Sequence, residues 1–231
     1  MSVTQEDRAV VTTWARRGLV VGVAVAPVFI VTDLVDGLVR PGYSVLRHWV
    51  SHRALGEYGW IGIVTIAVSA LMLLACAIAL FAVRRRANAK TAYPLTVCIA
   101  AIGLLTAALF PMDPSLGFPP GTELTPTTQS VSGAIHNVAG PVFILGMAVA
   151  AFLSGRYVRR VSHGAVAVGL GWVAGVAIVI SFVLTSVLVS LDFAGVLPGA
   201  WSGLFERIAI YIGLIWSALI CSRLLAWTAV R

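Results

Sequence analysis

Four residues, His48, Ser51, Asp113 and His136, have the side chains needed to move protons or present a nucleophile. Histidine and carboxylate exchange protons near neutral pH, and a serine hydroxyl beside such a base can attack or position a substrate. Asp33 adds a fifth candidate catalytic group. Ser44, Arg47, Trp60, Glu206 and Arg207 are the candidate substrate-binding residues. Two chemistries fit. In one, His48, His136 and Asp113 bind zinc and activate water. In the other, a desolvated Asp33 or Asp113 protonates an alkene or a leaving group.

Local sequence says how these side chains are presented. Winding Tyr43 to His52 as a helix puts Ser44, Arg47, His48 and Ser51 on one face, and Val45, Leu46, Trp49 and Val50 on the other. That segment reads as an interfacial or slightly re-entrant helix, whose polar face meets either the bundle mouth or water. In Phe110-Pro111-Met112-Asp113-Pro114, flanking prolines hold Asp113 in extended or turned backbone. It either closes a turn or takes part in a site. His136 stands near the start of a helix. Glu206-Arg207 opens another, where an acid also favours the helix dipole.

The elements that position these groups are membrane helices. Only 11% of the 231 residues are charged and 59% are hydrophobic, against roughly 25% charged in a soluble domain. Mean hydropathy is +0.97. Apolar runs at about 18–38, 58–83, 92–111, 133–154, 165–191 and 206–227 are each long enough to span a bilayer. The expectation is a single polytopic all-α domain over 1–231, a six-transmembrane-helix bundle. The first run follows a polar stretch and lacks a cleavage site, so it reads as a retained signal anchor. Cys76, Cys98 and Cys221 fall inside apolar runs and read as packing residues. The 111–132 connection is rich in proline, so it is an ordered cap or a lid and not a helix.

Placing both termini in the cytoplasm puts twelve of the 16 basic residues inside. These are Arg8, Arg16, Arg17, Arg84, Arg85, Arg86, Lys90, Arg156, Arg159, Arg160, Arg223 and Arg231. Asp33, Asp36, Glu57, Asp113, Glu123, Asp192 and Glu206 then lie at or near the outer face with His48, His52 and His136, leaving His163 inside. Asp33 lies within the outer hydrocarbon layer, so it needs a partner, with Arg47, Arg207 or His48 in reach. The net charge of +7 is distributed in short loop clusters that suit anionic lipid and not nucleic acid. The location implied is the inner cell membrane, with membrane lipid as neighbour.

The stretches at 40–63 (RPGYSVLRHWVSHRALGEYGWIGI), 110–121 (FPMDPSLGFPPG) and 132–136 (SGAIH), with Glu206-Arg207, resemble a bacterial six-span membrane family known as domain of unknown function nine hundred and ninety-eight. The resemblance covers almost the whole chain. It implies Arg47, His48, Ser51, Gly59, Trp60, Asp113 and His136 as the family-type positions, and leaves His52 outside the pattern. In residue type, Ser, Asp and His together are also similar to the ceramidase-like membrane hydrolases. Two functions follow. The first is an intramembrane enzyme, a hydrolase or an acid–base lyase or cyclase, acting on a lipid or isoprenoid. The alternative is a non-enzymatic transporter, sensor or lipid-binding accessory subunit.

Overall fold

A computed structural model describes residues 5–87, 89–162 and 166–229. His163 and Arg231, assigned to the inner face above, lie outside the described residues. Among the described residues six α-helices form: α1 (Gln5–Val39), α2 (Gly59–Ala87), α3 (Ala92–Leu109), α4 (Val131–Ser162), α5 (Val166–Phe193) and α6 (Ser202–Ala229). Each contains a stretch long and apolar enough to cross a membrane. The protein is thus an all-α six-span bundle. α6 starts at Ser202, a turn before the expected 206, so Glu206-Arg207 belongs to its second turn and not its opening. Ser202 Oγ donates to the Arg47 carbonyl at 3.0 Å, which fixes the earlier start.

Each helix packs on the next, α1 closes on α6, and α4 also reaches α6. Lipid supplies no hydrophobic drive between spans, so close approach of small residues must hold them. At Gly22, a Cβ would come within 2.7 Å of both the Cys76 and Cys221 sulfurs. Those buried thiols, 3.2 Å apart, fill the junction of α1, α2 and α6. Lower in the bundle, Tyr157 donates to the Leu80 carbonyl at 2.8 Å, and Trp216 donates its indole N–H to Ser154 Oγ at 2.9 Å.

The ends of α1, α3 and α5 and the starts of α2, α4 and α6 share one end of the bundle, and two connections cap it. The first, 40–58, is not the amphipathic helix expected from its spacing. One turn forms, closed by His48 N–H to the Ser44 carbonyl at 2.8 Å. The chain then extends at Trp49 and enters a short 3₁₀ helix, Val50–Ala54, all of it buried. The physical reason lies in α6. Gly203 and Leu204 donate their backbone N–H groups to the carbonyls of Arg47 and Leu46 at 3.1 and 2.9 Å. Arg207 Nη1 donates to those of Val45 and His48 at 2.8 and 2.7 Å. Tertiary donors therefore occupy the carbonyls that a continuing helix would use. The segment dips into the bundle: a Cβ on Gly62 would lie 2.4 Å from the Arg53 carbonyl oxygen.

The second connection folds as an ordered hairpin over the first. Leu116 N–H donates to the Leu124 carbonyl at 2.8 Å, and Gly117 N–H to that of Glu123 at 3.2 Å. Leu116 and Phe118 are buried. The Phe118 ring stands 5.3 Å from the rings of both Tyr43 and His48.

Candidate functional site

The capped end holds a buried ionic network. Asp33, on α1, is ion-paired to Arg53 Nε at 2.8 Å and to Arg207 Nε at 3.0 Å, and Tyr211 Oη donates to it. One turn on, Asp36 pairs with Arg40 at 2.8 Å and with Arg53 Nη1 at 3.1 Å. Arg40 also donates to the Leu55 and Tyr58 carbonyls at 3.2 and 2.9 Å, tying α1 to the start of α2. Arg207 Nη2 donates to Tyr43 Oη, which donates onward to the Trp49 carbonyl at 2.8 Å. Of the three partners expected for Asp33, the structure supplies Arg207. Arg47 instead forms a two-point pair with Asp192 at 2.9 and 3.0 Å, and His48 faces elsewhere.

His48 and His52 are both fully engaged. His48 Nδ1 accepts the Ser44 N–H at 2.9 Å, so Nε2 carries the proton and donates to the Leu116 carbonyl at 3.2 Å. His52 Nδ1 accepts the Trp49 N–H at 3.1 Å, and Nε2 donates to Ser115 Oγ at 2.9 Å. Burial lowers the basicity of both, pushing His52 down to about 3. They stitch one cap connection to the other.

His136 differs. Its Nδ1 lies 3.0 and 2.9 Å from the carbonyl oxygens of Ala107 and Phe110, so it carries the proton and donates to the end of α3. Its Nε2 has no bonding partner among the described residues. His136 lines a small central cavity of about 40 Å³ together with Ser51 and Glu206, walled by Phe29, Leu104 and Phe143. One Glu206 oxygen accepts the Val50 N–H at 2.6 Å, and the other has no partner among the described residues. Ser51 Oγ donates to the Met112 sulfur at 3.1 Å.

Asp113 lies elsewhere. Its Oδ2 accepts the Ser130 N–H at 3.0 Å, just before α4, and it lines a separate cleft beneath the hairpin. Of the four candidates His48, Ser51, Asp113 and His136, two, Ser51 and His136, share the central cavity. The zinc set His48, His136 and Asp113 is not assembled. Each of these residues is tied to a different backbone segment, and no three His, Cys, Asp or Glu side chains among the described residues gather to hold a metal ion. The shared face for Ser44, Arg47, His48 and Ser51 is likewise lost with the helix. Ser44 is exposed, its Oγ accepting the Arg47 N–H at 3.4 Å. Trp60 is 63% exposed on the rim of α2.

Sequence reasoning gave no site role to Arg53, Tyr43 or Tyr211. The signal for Tyr211 was its place one turn after Arg207, on the same helical face. For Arg53 it was the pair Asp33 and Asp36 on one face of α1, each needing a cation.

Beyond the fold, a family model described as protein of unknown function (DUF998) matches residues 23–223. No curated protein and no solved structure matches the chain.

Proposed function

Because the chain belongs to the DUF998 family of proteins of unknown function, we propose its activity from the central cavity: an intramembrane enzyme performing acid–base chemistry on a lipid or isoprenoid. One observation carries this reading. His136, Glu206 and Ser51 come from α4, α6 and the cap, and meet at one small cavity with a free imidazole nitrogen and a free carboxyl oxygen. His136 Nε2 takes a proton, Glu206 gives one, and the Ser51 hydroxyl positions the reacting group. The buried network favours this direction. Asp33 and Asp36 face Arg40, Arg53 and Arg207, and the excess positive charge stabilises the carboxylate left once Glu206 has given its proton.

The cavity as it stands has room for water and not for a lipid. A substrate chain reaches it by parting α3 from α4. On the far side of that seam, Ile99, Ile102, Val138 and Val142 line an apolar groove of about 570 Å³. Pro141 removes one α4 backbone hydrogen bond there and eases the opening. The basic-residue bias puts the capped end outside the cytoplasm.

The test compares lipid extracts by mass spectrometry from cells producing wild type, Glu206→Gln and His136→Ala, each checked for folding. A lipid or isoprenoid species whose abundance changes with wild type and with neither variant supports the enzyme. Identical profiles from all three overturn it. They would favour the second reading, a lipid-binding accessory subunit, which draws on the fully bonded ring nitrogens of His48 and His52.

A further inference from the structure

The second cavity at the capped end, about 420 Å³, lies under the hairpin and has no part in the reading above. Asp113 is the one ionisable residue in its lining, and no Lys, Arg or His accompanies it. The buried aspartates at this end, Asp33, Asp36 and Asp192, each pair with an arginine. Asp113 has no ion pair among the described residues. Its contact with the Ser130 N–H, just before α4, uses Oδ2, and Oδ1 has no hydrogen-bond partner among the described residues.

We propose that this cleft binds a primary ammonium group. A half-buried carboxylate facing no cation is completed by a charge-assisted hydrogen bond from an N⁺–H donor. The rest of the lining suits the same guest. Thr127, Gln129 and Asn137 offer oxygens that can accept the remaining ammonium protons. Trp49 and Phe193 supply apolar and aromatic wall for the carbon beside the nitrogen. An anion is disfavoured, because the only charge in the lining repels it. A quaternary ammonium would leave the oxygens without donors. The amine comes either from solution or from a lipid headgroup, and the cleft's chemistry is the same for both.

The test uses the full chain in nanodiscs of phosphatidylglycerol, titrated calorimetrically with ethanolamine, tetramethylammonium and inorganic phosphate. Wild type should saturate with ethanolamine, bind tetramethylammonium at least tenfold more weakly, and ignore phosphate. Asp113→Asn should weaken ethanolamine binding at least tenfold. Where that variant does not fold, Asn137→Leu reads the same site from the opposite wall. In nanodiscs of phosphatidylethanolamine, a headgroup source is marked by retained lipid in native mass spectra of wild type, lost in the variant, and by the absence of further ethanolamine uptake. A soluble source is marked by an unchanged ethanolamine isotherm. Identical ethanolamine isotherms for wild type and variant, with identical retained lipid, overturn the proposal, as does phosphate binding as strongly as ethanolamine.

Discussion

Asp33 on α1 and Arg207 on α6 join at 3.0 Å, 174 residues apart in the chain, with both side chains buried. Removing one member of a buried pair strands the other, a loss on the order of 3–5 kcal/mol. Asp33 serves two arginines at once. Asp33→Asn should therefore lower the melting temperature sharply in detergent, measured by size-exclusion after heating. Adding Arg53→Met should recover part of the loss, because one stranded cation goes with it. If Asp33→Asn melts with wild type, the network is not what holds the cap.

Arg47 makes its two-point contact to Asp192 while 28% exposed, and Asp192 is fully buried. A lysine can make only one of those contacts. Arg47→Lys should fall between wild type and Arg47→Ala in thermal stability. Equal stability for the lysine variant and wild type would show that the two-point geometry contributes nothing.

Gly203 should be intolerant of any side chain. An added Cβ would lie 2.2 Å from the His48 carbonyl oxygen, against backbone that cannot swing aside. Gly203→Ala should push the first cap connection off α6 and expose 45–54 to limited proteolysis. A proteolysis pattern identical to wild type would refute the close seating.

The cap should be acid-sensitive. Burial holds His52 neutral down to about 3 in the folded protein, against its ordinary 6.5. Below 6.5 the unfolded chain takes up a proton that the folded one refuses, so stability falls as pH drops from 6.5 towards 3. The slope approaches roughly 1.4 kcal/mol per pH unit for one such group. His48, lowered by burial, acts in the same direction. Melting temperatures between pH 7.5 and 4.5 should decline for wild type and decline less steeply for His52→Gln. Parallel curves for the two proteins would contradict this.

Orientation is open to a direct measurement. Reporters fused after residue 88 and after Arg160 should report the cytoplasm, and one inserted near residue 122 the opposite side. The reverse pattern would place the central cavity and the Asp113 cleft on the cytoplasmic face.

The six spans were legible because apolar length is a property of each segment alone. The prolines of the 111–132 connection likewise excluded a helix, but left a cap and a lid as alternatives until the Leu116–Leu124 and Gly117–Glu123 hydrogen bonds decided for the cap. The first cap connection was not legible. Its residues have the periodicity of an amphipathic helix, and only Arg207, Gly203 and Leu204, far along the chain, claim its carbonyls instead. Ser51, His136 and Glu206 stood among the candidates by residue type, yet spacing could not say that they share a cavity from which His48 and Asp113 are excluded. Arg53 was passed over for a similar reason: in sequence it belongs to a loop, and in the fold it is fully buried between two carboxylates.

The grip of Arg207 on the first cap connection also sets an order of events during synthesis. Residues 40–58 emerge from the ribosome before α2, but the arginine and backbone donors that hold them emerge with α6, the last helix. A chain with five helices inserted carries a half-tethered loop with open carbonyls and an Asp33 lacking one of its two cations. The cap is therefore complete only once α6 docks against α1.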